Sequence, residues 1–135
     1  MKQREIKFRA FIKKGKRIGK VYNLHWSDGL EISLQVKPDN SKFHHLYEDL
    51  DDHECIIMQY TGLKDKNGKE IYEGNIVNFD KRDRHNPYVI KWGEGGFIMV
   101  SKKDVDLHVW QNSIEIIGNI YENPELLKSV LKLGH

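Results

Sequence analysis

Apolar and polar residues alternate with a period of two along most of this chain, the pattern of strands with one packed and one wet face. Ile6, Phe8 and Ala10 share one face of an opening strand, with Lys7 and Arg9 on the other. Lys13-Lys14-Gly15-Lys16 reads as a turn, and residues 17–24 as the returning hairpin partner. Ser27-Asp28-Gly29 signals another turn. Leu30, Ile32, Leu34 and Val36 then alternate with polar neighbours until Pro38-Asp39-Asn40-Ser41 ends the run. From residue 56 onward the candidate strands are short and closely spaced, at 56–61, 69–72, 76–79, 88–92, 97–101 and 114–117.

Two segments break the alternation. Residues 43–54 are strongly acidic, with Glu48, Asp49, Asp51, Asp52 and Glu54 interspersed with His44, His45 and His53. Leu46 and Leu50 stand there at i and i+4, which suits a short helical turn within a polar connection. Near the C-terminus, Asn123 has the chemistry of a helix N-cap, Pro124 suits the first helical position, and Glu125 complements the helix dipole. Leu127, Val130 and Leu131 recur at helical spacing, and Gly134 is placed to end the helix.

The turns of the second half are the most specific local signals. Asp65-Lys66-Asn67-Gly68 lies between apolar runs, and Asn and Gly reach φ > 0 at little cost, so the segment reads as a β-hairpin. Gly74-Asn75 bends the chain into the next strand, which makes Gly62, Asn67, Gly68, Gly74 and Asn75 the structural turn set. Gly93-Glu94-Gly95-Gly96 is a tight connection between two further strands. The expected fold is mainly β. It has an N-terminal β-rich subdomain with its acidic connection at 1–55, an SH3-like small barrel at 56–121, and a short C-terminal helix at 122–135 packed on the body. The strands before Val36 have no evident second layer, so a homo-oligomer is one way to cover them.

The chain has 135 residues, 39% of them hydrophobic and 31% charged, with a formal net charge of +2. That balance gives no global electrostatic reason for a nucleic-acid partner, although local basic clusters exist. Lys13, Lys14, Lys16, Arg17 and Lys20 gather at the first hairpin, Lys81, Arg82, Arg84 and His85 in one loop, and Lys102-Lys103 in another. Asp80, Asp83 and Asp104 dilute them. Trp26, Trp92, Trp110 and Tyr88 have rings on which bases stack, while aromatics at strand positions are more often core. Cys55 is the only cysteine, so no internal disulfide forms, and a reducing cytoplasm is the simplest compartment. Its setting, Glu54-Cys55-Ile56-Ile57-Met58, suits a small buried residue better than a thiolate nucleophile. Met1-Lys2-Gln3-Arg4-Glu5 lacks the apolar stretch of a signal peptide. No apolar run approaches the roughly 18 residues of a membrane helix.

Candidate chemistry is thin. His44, His45, Asp49, Asp51, Asp52 and His53 offer nitrogen and oxygen ligands, but their spacing matches no metal motif. Glu73, Glu94, Glu115 and His108 titrate, yet nothing in the sequence pairs them as acid and base. Phosphate-loop and nucleophile-elbow patterns are absent. The expectation is a protein that is not an enzyme and has no catalytic residue, cofactor or metal.

One run carries a family resemblance. Tyr60-Thr61-Gly62-Leu63-Lys64-Asp65-Lys66-Asn67-Gly68-Lys69-Glu70-Ile71-Tyr72-Glu73-Gly74-Asn75-Ile76-Val77 resembles, almost letter for letter, the central motif of the YopX family of small phage and prophage proteins. Arg4-Glu5-Ile6-Lys7-Phe8-Arg9-Ala10-Phe11 is similar to the family's opening strand. A third matching block is Ile114-Glu115-Ile116-Ile117-Gly118-Asn119-Ile120-Tyr121-Glu122-Asn123-Pro124-Glu125-Leu126-Leu127. Asn75 stands where the family usually carries Asp, and Phe11-Ile12 where it usually has Trp and then Asp. The resemblance implies a phage or prophage origin, a mainly β fold and no known reaction. Taken with the residues, it points to a small non-enzymatic interaction or structural module in the host cytoplasm, with a phage or host protein as partner and no membrane. The alternative is a nucleic-acid-binding barrel that uses Lys14, Lys16, Arg17, Lys81, Arg82 and Arg84.

Overall fold

Strands occupy most of the chain. The structure is a computed structural model that describes residues 5–26, 30–36, 46–51, 55–93, 95–101, 106–109 and 112–127, with the backbone alone at 22–26, 30–36, 46–51 and 106. Among these residues the strands are β1 (Phe8–Ile12), β2 (Arg17–Trp26), β3 (Leu30–Val36), β4 (Leu46–Asp51), β5 (Cys55–Lys64) and β6 (Glu70–Tyr72), followed by β7 (Asn75–Asn78), β8 (Tyr88–Gly93), β9 (Gly96–Val100), β10 (Asp106–His108) and β11 (Glu115–Asn119). Helical residues among them form one turn, at 125–127, so the protein is mainly β. The chain divides into two compact units, Ile6–Gln59 and Tyr60–His135 with Met1–Glu5. Strand β5 runs from the first into the second.

The first unit is an antiparallel sheet in the order β4-β3-β2-β1-β5. Its first hairpin closes Ile12 against Arg17, with Gly15 at φ 87° and Lys16 at φ 50° making the reversal. Ile6, expected to open the strand, precedes β1 and is 69% exposed. Ala10, Phe11, Ile12, Cys55 and Met58 are buried, and Ile12 faces Cys55 across the ladder.

The acidic segment departs from expectation. Leu46 and Leu50 form no helical turn, because β4 runs through them and pairs Leu46 with Val36 and Leu50 with Ile32. Residues at i and i+4 return to one side in a period of two as well as in one of 3.6, so that pair of leucines could not distinguish the two. His44, His45, Asp52 and His53 lie outside the described residues.

In the second unit the remainder of β5 pairs with β6, and a five-stranded antiparallel sheet has the order β10-β9-β8-β7-β11. Ile71, Val77, Tyr88, Ile90, Met99 and Ile114 form its buried core, flanked by Leu63, Phe79, Leu107, Val109 and Ile116. Removing such side chains from water is the main force holding short strands together, since each two-stranded piece is marginal alone. Two details differ from expectation. Strand β5 continues through Gly62 to Lys64, with its register against β6 shifting between Tyr60 and Lys64. Strand β10 was not anticipated, being only three residues long.

The turn after β11 also corrects a local reading. Asn123 does not cap the helical turn with its side chain. Its Oδ1 accepts the Asn119 N–H at 3.1 Å, while the Asn119 Oδ1 accepts the N–H groups of Tyr121 (3.0 Å) and Glu122 (2.8 Å). Leu126 and Leu127 donate to the Asn123 and Pro124 carbonyls. The cap chemistry of Asn is thus used at Asn119, and Asn123 is spent holding that loop to the strand end. A Cβ on Gly118 would stand 2.5 Å from the Asn123 Oδ1, so any other residue there must displace the Asn123 side chain.

Candidate functional site

The hairpin at the start of the second unit is held by one carboxylate. Asp65 is 1% exposed. Its Oδ1 accepts the N–H groups of Asn67 (2.9 Å) and Lys69 (2.8 Å), and its Oδ2 accepts the Ile116 N–H at 3.0 Å. Burial pushes the carboxyl pKa up, but the donors from Ile116, Lys69 and Asn67 outweigh that and hold it below the ordinary Asp value. Gly68 sits at φ 81° in this turn, with open space where a Cβ would be. The turn is tied to the β11 end of the sheet again where Lys66 N–H reaches the Ile114 carbonyl and Asn112 N–H the Lys64 carbonyl. Lys66 and Glu115 form an ion pair at 3.3 Å across the same join, with both side chains nearly half exposed.

Gly74 and Asn75 make the second bend. Gly74, at φ 83°, donates to the Ile90 carbonyl and accepts from Ile120 N–H. Asn75 is buried. Its Oδ1 accepts the Tyr72 N–H at 2.7 Å and its Nδ2 donates to the Gly118 carbonyl at 3.4 Å. The acceptor role is common to Asn and Asp, whereas the donor role belongs to the amide alone. Gly62 stands at φ 87° inside β5. Next to it, the Thr61 hydroxyl donates to the Ile71 carbonyl (2.8 Å) and accepts the Leu63 N–H (3.1 Å), which leaves the Thr61 methyl as its apolar surface.

Thr61 and Gly62 border an open groove of about 490 Å³, lined also by Leu63 of β5, by Trp92, Gly95, Gly96 and Phe97 of the β8–β9 hairpin, and by His108 and Val109 at the end of β10. Trp92 is 59% exposed and meets the Phe97 ring edge to face, with centroids 4.8 Å apart and planes at 79°. Strand β8 runs out past the core here. Tyr88 and Ile90 are buried while Trp92, on the same side of the strand, is not. Among the described residues that line the groove, His108 is the one ionisable side chain. Sequence reasoning named Gly62, Trp92 and His108 separately, and nothing in their spacing joined them.

The other candidates are dispersed. Glu115 is spent on Lys66. Glu73 lies near Tyr121, whose phenol pKa is pushed up by burial and then by the Glu73 charge. Glu94, Lys102, Lys103 and Trp110 lie outside the described residues, and for Trp26 only the backbone is described. Among the described residues no three His, Cys, Asp or Glu side chains come close enough to hold a metal ion. Tyr88 is not a stacking platform, since it is 1% exposed. Its O–H donates to Asp83 Oδ2 at 2.7 Å, and burial together with that bond pushes its pKa to about 12. Lys14 and Lys16 are exposed at the first hairpin, with Arg17 half-buried beside them, and Lys81, Arg82 and Arg84 are exposed in the loop before β8. Among the described residues no helix is long and apolar enough to cross a membrane.

Comparison with known proteins places this architecture. A structural relative is the crystal structure of protein EF1440 from Enterococcus faecalis, 29% identical, with a TM-score of 0.66 over 93% of this chain and 99% of that one. The SPbeta prophage-derived uncharacterized protein YopX of Bacillus subtilis (strain 168) is 39% identical over a 72-residue alignment that covers 47% of this chain and 54% of that protein. The chain thus spans about half the length of this curated relative. The family model described as YopX protein matches residues 7–128, from the first strand through the asparagine-capped turn after β11. The chain belongs to the YopX family.

Proposed function

We propose that the protein is a small phage- or prophage-encoded interaction module of the bacterial cytoplasm, non-enzymatic, whose second unit is an SH3-like barrel. Its groove between β5, the β8–β9 hairpin and β10 receives an extended apolar segment of a phage or host protein. The observation that carries this reading is Trp92, a large aromatic left 59% exposed at the mouth of an apolar groove. Exposed aromatic anchors beside a concave surface are where protein partners gain most of their binding energy. The non-enzymatic part rests on the lining, which among the described residues offers one ionisable group, His108, and no carboxylate to pair with it. Self-association belongs to the same reading, and light scattering at micromolar concentration measures it.

The test is affinity capture from phage-infected cells with wild-type protein and Trp92→Ser, each with and without nuclease. The expected result is a defined protein that survives nuclease, resists added salt and is lost with Trp92→Ser. Recovery of the same protein by both versions would remove the groove from the proposal. Turnover of a nucleotide, peptide or ester that disappears with His108→Ala would overturn the non-enzymatic reading.

A further inference from the structure

The loop between β7 and β8 has an unusual division of labour between its acids and its bases. Asp80 Oδ1 accepts the Arg82 N–H at 2.8 Å, Asp83 Oδ1 accepts the His85 N–H at 2.9 Å, and Asp83 Oδ2 takes the Tyr88 O–H. Asn86 closes the loop, accepting the Phe79 N–H at 2.8 Å and donating to the Asp80 carbonyl at 2.6 Å. The carboxylate oxygens are therefore engaged in building the loop, although they keep their charge. Two of the cations are not engaged. Lys81 and Arg84 are exposed and have no ion-pair partner among the described residues. The Arg82 side chain is 91% exposed and rests on Asp80 through two long bonds, Nε to Oδ1 and Nη2 to Oδ2, each 3.4 Å.

We infer that this loop is a preorganised phosphate-contacting site for nucleic acid, separate from the aromatic groove, with Lys81, Arg82 and Arg84 as its cations. Three charges on a loop already fixed by side-chain hydrogen bonds lose little freedom on binding. A guanidinium fork matches phosphate oxygens in geometry. Nucleic acid is favoured over an acidic polypeptide by charge density. A duplex carries a charge about every 1.7 Å counting both strands and releases condensed counterions when neutralised, whereas an extended chain carries at most about one side chain per 3.3 Å, so the duplex is the favoured form.

The probe is a fluorescein-labelled oligonucleotide of mixed sequence, single-stranded in one arm and annealed in the other, titrated with full-length protein and read by anisotropy. For three neutralised phosphates, raising salt from about 50 to about 200 mM is expected to weaken binding about 20-fold for the single strand and about 40-fold for the duplex. Lys81→Ala/Arg84→Ala is expected to lower the logarithmic salt slope by about 1.4 for the single strand and about 1.8 for the duplex. Tyr88→Phe, which frees Asp83 while preserving the core ring, is expected to weaken binding several-fold with the slope unchanged. Trp92→Ser is expected to bind as wild type, which separates this site from the groove. No binding at about 100 μM protein in low salt would overturn the inference, as would an unchanged slope in the double variant. Unchanged affinity in Tyr88→Phe would overturn the preorganisation. Loss of binding in Trp92→Ser would move the nucleic acid to the groove, and equal competition by poly-glutamate at matched charge would replace nucleic acid with an acidic polypeptide.

Discussion

Replacing Asp65 with Asn tests the arrangement most directly, because it changes one atom in a buried three-donor site. The carboxylate offers two oxygens to three N–H groups, and an amide offers one oxygen and an NH₂. With its oxygen toward Asn67 and Lys69, Asn leaves the Ile116 N–H facing another donor. The turned-over alternative strands both turn N–H groups instead. A buried donor without a partner costs about 1–3 kcal/mol, and converting two charge-assisted bonds to neutral ones costs about 1 kcal/mol more. Relief from burying a charge offsets part of this, so Asp65→Asn is expected to destabilise the protein by about 1–3 kcal/mol. That is a large share of a folding free energy on the order of 10 kcal/mol. The pH dependence supplies an independent check. Because the folded pKa is lowered, the Asp65 contribution is fully present above the unfolded value of about 3.9 and is lost as pH falls through the folded one. Urea melts at pH 7 and at successive steps below pH 4 should show the two proteins converging in the acid range. A difference under about 0.5 kcal/mol at pH 7, or a gap that stays constant down to pH 2.5, would refute the reasoning.

Further substitutions probe three neighbouring joints, all read by denaturant melts. Gly68→Val meets no side-chain obstruction, so its cost is the φ of 81° alone and should be about 1–2 kcal/mol. Asn75→Ala leaves the buried Tyr72 N–H without an acceptor and should cost about 1–3 kcal/mol; Asn75→Asp keeps that acceptor and should cost less. Gly118→Ala drives a Cβ against Asn123 and should cost about 1–3 kcal/mol through the lost Asn119 bond, with a smaller cost when Asn123→Ala is already in place.

Some of this was legible beforehand. The alternation from residue 56 onward located β6, β7, β8, β9 and β11 to within a residue or two, because turn residues with distinct backbone chemistry separate them. Strand β4 was missed because acidic composition outweighed a leucine spacing that fits either period, and β10 because three residues carry no periodicity to detect. The groove joins positions from three distant stretches, 61–63, 92–97 and 108–109, so only the sheet order could reveal it. Trp92 shares its side of β8 with buried Tyr88 and Ile90, and its exposure follows from where the core ends. Asp65 and Asn123 were each read for their local chemistry, turn and cap, while their decisive partners are an amide 51 residues away for one and a strand end behind it for the other.

The reach of the Asp65 carboxylate also bears on how the chain chooses among strand pairings during folding. Its donors at Asn67 and Lys69 are local and can engage while the hairpin forms on a microsecond scale, but Ile116 arrives only after a long loop closes. Until then one oxygen stays solvated. A compact state that covers the hairpin without presenting an N–H at that oxygen, as β11 slipped by one residue does, must strip its water at a penalty of several kcal/mol. The native pairing escapes this penalty. A single charged atom thereby widens the energy gap between the native sheet and its near neighbours, and selects the partner strand at the moment of docking.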